Sequence, residues 1–234
     1  MTDHINRQYD QDLEAIRGRT MQMGGLVEAH IRSAIAGYLD GDVERATQVI
    51  AGDSKVNDLE LAIDNDLGQI IVRRQPAASD LRLILAASKI VTDLERIGDE
   101  ATKIARTARD IHANGPMPGT RIVPIVHLSE VAIGMLRRAL DAFARTDAAA
   151  AARVCAEDAA IDEEFRAILR QLITHMMEDP RTISTSMMVV WLAKAFERIG
   201  DHAKNIAEYV IFIAKGRDVR HIPLADLERE ALSR

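Results

Sequence analysis

A pentapeptide that occurs twice constrains the fold of this chain more than any other feature. The sequence E-R-I-G-D stands at residues 95–99 and again at residues 197–201, 102 residues further on. Around each copy, apolar residues recur at steps of three and four, from residue 83 to 108 and from residue 192 to 213. This spacing is typical of a long helix that buries one stripe. The sequence therefore predicts two matched helical units.

Each copy of the pentapeptide also places two carboxylates one helical turn apart. Glu95 is followed by Asp99, and Glu197 by Asp201. At about 100° per residue, both members of a pair lie on one flank beside the buried stripe. Two like charges at this spacing destabilise an isolated helix by about 0.2–0.5 kcal/mol. Because both halves carry this cost at the same place, we expect a positive partner there, and a metal ion is the leading candidate.

The middle helix of each half contributes a second set of oxygen ligands at the same spacing. Asp53 and Asn57 align with Asp158 and Asp162 at an offset of 105 residues. An antiparallel middle helix can bring these oxygens against the carboxylate pair of the third helix. Four oxygen ligands without sulfur suit a hard cation such as magnesium, manganese or iron. In the alternative, Asp53 and Asp158 serve only to stabilise the N-terminal turn of a helix, and the other side chains are solvated.

The composition favours helices packed on helices and limits the classes of partner. Nearly half of the 234 residues are apolar, yet only 3% are aromatic. The formal net charge of -6 argues against nucleic acid as the main partner, since phosphate backbones bind basic surfaces. The sequence therefore predicts an all-α protein that does not bind nucleic acid.

The single cysteine and the apolar runs bear on cellular location. Cys155 excludes an internal disulfide, is typical of a reducing cytoplasm, and is predicted to be a small buried helix residue rather than a reactive thiol. The first twelve residues are polar, unlike a signal peptide. The longest apolar run, residues 187–193, is far shorter than the roughly 20 residues that cross a bilayer. We therefore expect a cytoplasmic protein that meets the membrane only through its partners.

Six long helices follow from the apolar spacing and from the residues that interrupt it. Glycine ends helices, proline stops them, and aspartate caps the helix that follows. The interruptions are, in order, Asp40-Gly41-Asp42, Pro76, the segment 114–119, Thr146-Asp147, Asp179-Pro180 and Gly216.

The strongest break lies at residues 114–119, which contain two of the six prolines and two of the 13 glycines. No helix tolerates this composition, so we place the boundary between the halves there. The predicted organisation is a first three-helix unit at 1–113, a linker at 114–121, a second three-helix unit at 122–216, and a charged, loosely held tail at 217–234.

Each pentapeptide also holds a glycine and an arginine. Gly98 and Gly200 stand in mid-helix, where glycine costs about 1 kcal/mol against alanine. Either a neighbouring helix approaches closely there, or the glycine leaves room for a ligand. Arg96 and Arg198 point away from the buried stripe. They are interpreted as contacts for solvent or a partner, with phosphate capture as the alternative, and Arg96 has Glu100 within reach one turn further on.

Motifs that would support catalysis are absent from the sequence. None of the seven histidines follows a glutamate by three residues, which argues against a helical di-iron oxidase. The sequence also lacks a glycine-rich phosphate loop, a G-x-S-x-G turn and a cysteine pair. It therefore predicts a protein that is not an enzyme.

The chain resembles the PhoU family of phosphate-signalling regulators from about residue 9 to residue 221. The first-repeat signature is matched by R-Q-P-A-A-S-D-L-R at 74–82 with L-E-R-I-G-D at 94–99. The second is matched by M-E-D-P-R-T at 177–182 with F-E-R-I-G-D-H-A-K-N-I at 196–206. The resemblance implies two tandem three-helix bundles related by an internal repeat, often in a homodimer.

The resemblance also implies metal clusters at the two acidic sites. Carried over residue by residue, the ligands are Asp53, Asn57, Glu95 and Asp99 in the first half, and Asp158, Asp162, Glu197 and Asp201 in the second. Asn57 departs from an all-acidic pattern. Because an asparagine brings one less negative charge, the first site is expected to hold metal more weakly or in smaller number.

The function implied by the resemblance is repression of the phosphate-starvation response when phosphate is ample. Such proteins are thought to bridge the ATPase subunit of the phosphate ABC transporter to a PhoR-type sensor histidine kinase in the membrane. Two alternatives from other classes stay open. A metal-dependent enzyme acting on phosphate compounds would need an open coordination position and a base, and a purely structural helical scaffold would bind no metal.

Overall fold

A computed structural model describes residues 7–113 and 123–233 of the chain. These residues form seven α-helices and one short 3-10 helix, with no strand among them. The α-helices are α1 (Arg7–Asp40), α2 (Val43–Arg74), α3 (Ala78–Ala113), α4 (Val123–Arg145), α5 (Ala148–Glu178), α6 (Ile183–Lys215) and α7 (Leu224–Leu232), and the 3-10 helix is Pro180–Thr182. The all-α prediction is confirmed. The predicted linker at 114–121 lies outside the described residues.

The helices end where the sequence interrupts them. Gly41 and Gly216 both have a positive φ, 70° and 74°, which a side chain would disfavour. Asp42 accepts a hydrogen bond from the backbone N–H of Arg45, and Asp147 caps α5 in the same way. The duplicated breaks therefore give middle helices of nearly equal length, 32 residues in α2 and 31 in α5.

Each half is a three-helix bundle, and the halves meet mainly along α3 and α6. Asp93 of α3 faces His202 and Asn205 of α6, whereas Glu100, further along α3, faces Arg198, which comes earlier in α6. The two helices therefore run antiparallel, as a repeat related by a pseudo-twofold axis requires. A second contact joins α1 to α4, where Arg137 pairs with Glu28. The middle helices α2 and α5 lie on the outside.

The apolar stripes predicted from spacing form one continuous core. The three-and-four spacing of α1 and α2 also predicts inward side chains at Leu39 and Ile71, near the helix ends, but these residues are 51% and 41% exposed. At the end of α1 the neighbouring Tyr38 is buried instead, and its carbonyl oxygen lies 2.8 Å from Nε2 of His112. The three-and-four spacing therefore predicts the burying face well along a helix, but not within its last turn.

The predicted loose tail contains a packed helix, which corrects that expectation. Leu227 and Ala231 of α7 are buried, and α7 packs on α5. An ion pair of 2.6 Å between Arg217 and Glu230 ties the segment before the helix to its last turn. The segment is mostly charged, but Leu227 and Ala231 are four residues apart and form a short apolar stripe on one face of α7. None of the described helices combines the length and the apolar content that crossing a membrane requires.

Candidate metal centres

The pentapeptide glycines set the distance between the two helices of each acidic site. A Cβ added at Gly98 would lie 3.2 Å from Cγ1 of Val56, and one added at Gly200 would lie 2.8 Å from Cδ1 of Ile161. Aliphatic side chains thus fill the space beside both glycines, which supports close helix packing over room for a ligand. Val56 stands between Asp53 and Asn57, and Ile161 stands between Asp158 and Asp162. The close approach therefore carries the oxygen ligands of the middle helix towards those of the third helix.

In the second half, three of the four predicted ligands come together. Asp162, Glu197 and Asp201 each offer a carboxylate oxygen, and these oxygens all lie within 4.8 Å of one another. Glu197 is only 7% exposed, and its Oε2 is buried without a hydrogen-bond partner. Three acidic groups thus converge from α5 and α6 around an oxygen that has no donor from the protein.

The electrostatics of this group favour a cation. Burial, together with the negative charges of Glu197 and Asp158, raises the pKa of Asp201 from 3.8 to about 6. A carboxylate that is hard to ionise beside other carboxylates is stabilised by any positive charge placed between them. Two or three converging carboxylates without nitrogen or sulfur are the ligands that Mg²⁺, Mn²⁺ or iron prefers. The residues present therefore fit a hard metal ion.

The fourth predicted ligand, Asp158, is held by a lysine. Nζ of Lys204 donates to Oδ2 of Asp158 at 2.6 Å, and Oδ1 of the same carboxylate is buried without a partner. A second lysine, Lys194, donates to Oε1 of Glu197. Asp162 also has a cation, because Arg166 donates to it at 3.0 Å from one turn further on. Asp158 thus lies near enough to act electrostatically on Asp201, but it is outside the group of three converging carboxylates and has an ammonium group on one of its oxygens.

The first half gathers its acidic residues less tightly. Burial raises the pKa of Glu95, and the charges of Asp99, Glu60 and Asp53 raise it further. The hydroxyl of Thr102 donates to Oδ1 of Asp53 at 3.0 Å. Among residues 7–113, however, no three His, Cys, Asp or Glu side chains offer ligand atoms within 4.8 Å of one another.

Glu60 interacts electrostatically with the acidic residues of the first half, and the sequence interpretation missed it. Burial and the charge of Asp64 raise its pKa, with a further contribution from Asp99. Glu60 follows Asp53 by seven residues and Asn57 by three, so all three share one face of α2. This spacing could have predicted Glu60 as part of the acidic set. The comparison of the two halves did not, because the residue aligned with Glu60 at the 105-residue offset is Phe165. Half-buried Asn57 thus has an acidic neighbour that restores the missing charge.

The two pentapeptide arginines have different environments. Nε of Arg198 lies 3.1 Å from Oε1 of Glu100, which is buried and also accepts from Lys103. Although Glu100 is within reach of Arg96 in sequence, its partners in the structure are Arg198 from the other half and Lys103 from the next turn of its own helix. Arg96 is exposed, and its charge lowers the pKa of both Glu60 and Glu95. Arg198 thus joins the halves, while Arg96 lies over the first acidic site.

An open groove of about 760 Å³ adjoins the second site, between α5, α6 and the segment that includes α7. Its lining includes Asp158, Asp201, Lys204, Glu208 and Cys155. Burial raises the pKa of Cys155 to about 12, as expected for a packed, unreactive thiol. Burial also raises the pKa of Glu208 to about 7. The groove thus has mixed charge rather than the character of an anion pocket.

Comparison with known proteins gives the same family along nearly the whole chain. The family model described as PhoU domain matches twice, at residues 20–108 and 125–210. A Pseudomonas putida protein named phosphate-specific transport system accessory protein PhoU homolog is 47% identical over 98% of this chain and 90% of its own length. The Escherichia coli (strain K12) protein named phosphate-specific transport system accessory protein PhoU is 43% identical over 98% of this chain and 94% of its own length.

Two solved structures resemble this fold. The crystal structure of PhoU from Pseudomonas aeruginosa superposes with a TM-score of 0.86 and 45% identity, over 89% of this chain and all of that one. The structure of the phosphate transport system regulatory protein PhoU from Streptococcus pneumoniae gives a TM-score of 0.82 at 24% identity, over 90% of this chain and 99% of that one. The second likeness supports the fold alone.

Proposed function

Because this chain belongs to the PhoU family, we propose that it is a cytoplasmic regulator that represses the phosphate-starvation response. In this proposal it bridges the ATPase subunit of a phosphate ABC transporter and a PhoR-type sensor histidine kinase. The observation that carries the proposal is the double family match, together with near full-length relatives whose names place them in the phosphate-specific transport system. The role in that system is accessory rather than enzymatic.

The proposed part of the acidic sites is to hold metal ions that join neighbouring helices. A bound hard cation supplies positive charge and oxygen coordination. The chain supplies Asp53, Asn57, Glu95, Asp99 and Glu60 in the first half, and Asp158, Asp162, Glu197 and Asp201 in the second. Because each set spans two helices, a cation on it would oppose the repulsion that pushes α2 from α3, or α5 from α6. The sites would then be structural or sensing elements that shape a surface for partners, which includes exposed Arg96 in the first half.

Copurification tests the partner assignment. The tagged chain is expected to retain the transporter ATPase and the sensor kinase from membranes of its own organism, and an Arg96→Ala variant is expected to retain less. Arg106, which is exposed on the same helix, serves as the matched control in Arg106→Ala. Failure of the wild-type chain to bind either protein would overturn the bridging role.

A deletion strain tests the regulatory assignment separately. Without this protein, phosphate-scavenging genes are expected to be expressed even in rich phosphate, and the intact gene is expected to restore repression. Normal repression in the deletion strain would contradict the assignment, whatever the binding experiment shows.

Element-resolved analysis tests the metal sites. The purified chain is expected to carry manganese, magnesium or iron, with less of it in Glu95→Ala/Asp99→Ala and in Glu197→Ala/Asp201→Ala. Glu163→Ala is the control, since this exposed glutamate lies next to Asp162 but is not a predicted ligand. Equal metal content in all four proteins would remove these residues as ligands.

The groove beside the second site gives one specific reason to test the enzyme alternative. It brings open space of about 760 Å³ against Asp158 and Asp201. A metal-dependent hydrolase would turn over a phosphate ester and lose that turnover on chelation. We expect no such turnover.

A further inference from the structure

The two acidic sites differ in one contact at matched positions. Residues 102 and 204 are related by the 102-residue repeat, but one is threonine and the other lysine. Thr102 donates its hydroxyl to Asp53 at 3.0 Å, and Lys204 donates its ammonium to Asp158 at 2.6 Å. An uncharged donor in the first half is thus replaced by a full positive charge in the second.

A second matched pair shows the same exchange. Residues 92 and 194 are also related by the repeat, and again threonine is replaced by lysine. The hydroxyl of Thr92 donates along its own helix to the carbonyl oxygen of Ser88 at 3.1 Å. Lys194 instead donates to Glu197, one of the three converging carboxylates. Both lysines therefore act on predicted ligands of the second site.

Two further differences between the halves exchange acidic for uncharged residues, one in each direction. The first half has the acidic Glu60 at a place where the second has Phe165, and the ring of Phe165 lies 5.4 Å from Nζ of Lys194. The second half has Asp162 at the place of uncharged Asn57, with Arg166 paired to it. Each set thus has four acidic side chains, and those of the second set are also paired with Lys194, Lys204 and Arg166.

We propose that Lys194 and Lys204 are resident counter-cations of the second acidic site, which they hold together without metal and from which a metal ion must displace or outweigh them. The inference rests on the proposed metal binding and concerns its regulation. A divalent cation placed among these carboxylates is repelled by both ammonium groups, so the lysines lower the affinity of the second site. The second site then binds metal only at higher metal concentrations than it would need if both lysines were absent.

Direct titration of a stripped protein tests this inference. The full chain carrying Glu95→Ala/Asp99→Ala retains only the second site, and Mn²⁺ binding after chelation is measured by isothermal titration calorimetry. In this background Lys204→Thr and Lys194→Thr, which install the first-half residues, are each expected to tighten Mn²⁺ binding about tenfold. Lys55→Thr, which removes an exposed charge from the first half, is the matched control and is expected to change nothing.

The reverse exchange gives an independent measurement. In a Glu197→Ala/Asp201→Ala background, Thr102→Lys is expected to weaken Mn²⁺ binding at the first site by about tenfold. Thermal unfolding supplies a second readout. Lys204→Thr is expected to lower the Tm in chelator, and Mn²⁺ is expected to raise the Tm of this variant by more than it raises that of the unsubstituted protein. Lys204→Gln keeps a hydrogen-bond donor without the charge, and replaces Lys204→Thr if the latter does not fold.

The possible outcomes separate this inference from the metal proposal itself. If Mn²⁺ binds but the lysine variants leave its affinity unchanged or weaker, the counter-cation role is overturned and the metal site stands. If the unsubstituted chain binds no Mn²⁺, Mg²⁺ or iron at either site, the metal proposal fails and this inference fails with it.

Discussion

Burial is the main reason why Glu208 has a raised pKa. Glu208 of α6 is 8% exposed beside Lys204 and Arg220, yet burial still raises its pKa from 4.5 to about 7. The two cations lower the pKa without reversing that shift. In the folded protein this side chain therefore prefers to be protonated at a pH where the unfolded chain would ionise it.

Replacing this acid should change stability in a way that depends on pH. The contribution of Glu208 is fully present below pH 4.5 and is lost as pH rises to about 7, because ionisation is harder in the folded state. Glu208→Gln is therefore expected to stabilise the chelated protein by about 1–3 kcal/mol at pH 8 and to have little effect at pH 4.5.

Urea denaturation at the two pH values measures this difference. Exposed Glu228 in α7 provides the control, and Glu228→Gln should be neutral at both. A Glu208→Gln variant that is equally stable relative to the wild type at both pH values would show that the buried environment does not shift this acid.

The space beside Gly200, between α5 and α6, is narrower than the space beside Gly98, between α2 and α3, because Ile161 has a Cδ1 atom that Val56 lacks. A Cβ added at Gly200 would lie 2.8 Å from Ile161, whereas a Cβ added at Gly98 would lie 3.2 Å from Val56. Alanine gains about 1 kcal/mol over glycine in a helix interior, and overpacking costs about 1–3 kcal/mol. The same substitution should therefore have different consequences in the two halves.

Gly200→Ala is expected to destabilise the protein by about 1 kcal/mol, because the overpacking penalty exceeds the propensity gain. Gly98→Ala is the matched comparison and is expected to be near neutral, since Val56 needs to yield by only a few tenths of an ångström. Free energies of unfolding in chelator measure both. Equal stabilisation by the two alanines would contradict the difference in free space beside the two glycines.

Polar groups inside the α3–α6 interface add to the apolar core that joins the two bundles. Asp93 and His202 are both buried, with Oδ1 of Asp93 2.7 Å from Nδ1 of His202 and 3.2 Å from the amide nitrogen of Asn205. Glu100 and Arg198 make a second cross-repeat contact at 3.1 Å. Because a buried polar group without a partner is costly, these contacts select one register of the halves.

A double-mutant cycle measures how strongly this contact couples the halves. Asp93→Ala and His202→Ala are each expected to cost about 3 kcal/mol, since each leaves a buried partner, and the double variant should cost clearly less than the sum. The exposed pair Asp179 and Arg181 is the control cycle, and its coupling is expected to be much smaller because solvent screens it. Additive effects of Asp93→Ala and His202→Ala would mean that the two side chains do not stabilise each other.

Features that depend on residues near in sequence were predictable. The six long helices, the caps at Asp42 and Asp147, and the end at Gly216 all follow from spacing within a few residues. The prediction failed where the outcome depends on packing at an end, as for exposed Leu39 and for helix α7, which was expected to be a loose tail. Glu60 and the two site lysines were missed because their importance lies in contacts between different helices.

The amino-acid sequence by itself determined the helices, their repeat and the presence of two acidic sets, because periodicity and chain breakers act locally. Only the tertiary structure decided which carboxylates converge, which already hold a lysine, and which arginine crosses between the halves. Those outcomes depend on distances between side chains from separate helices, and such distances are set by close packing at Gly98 and Gly200. A repeat in sequence therefore specifies two similar scaffolds, while the contacts between helices make the two sites chemically different.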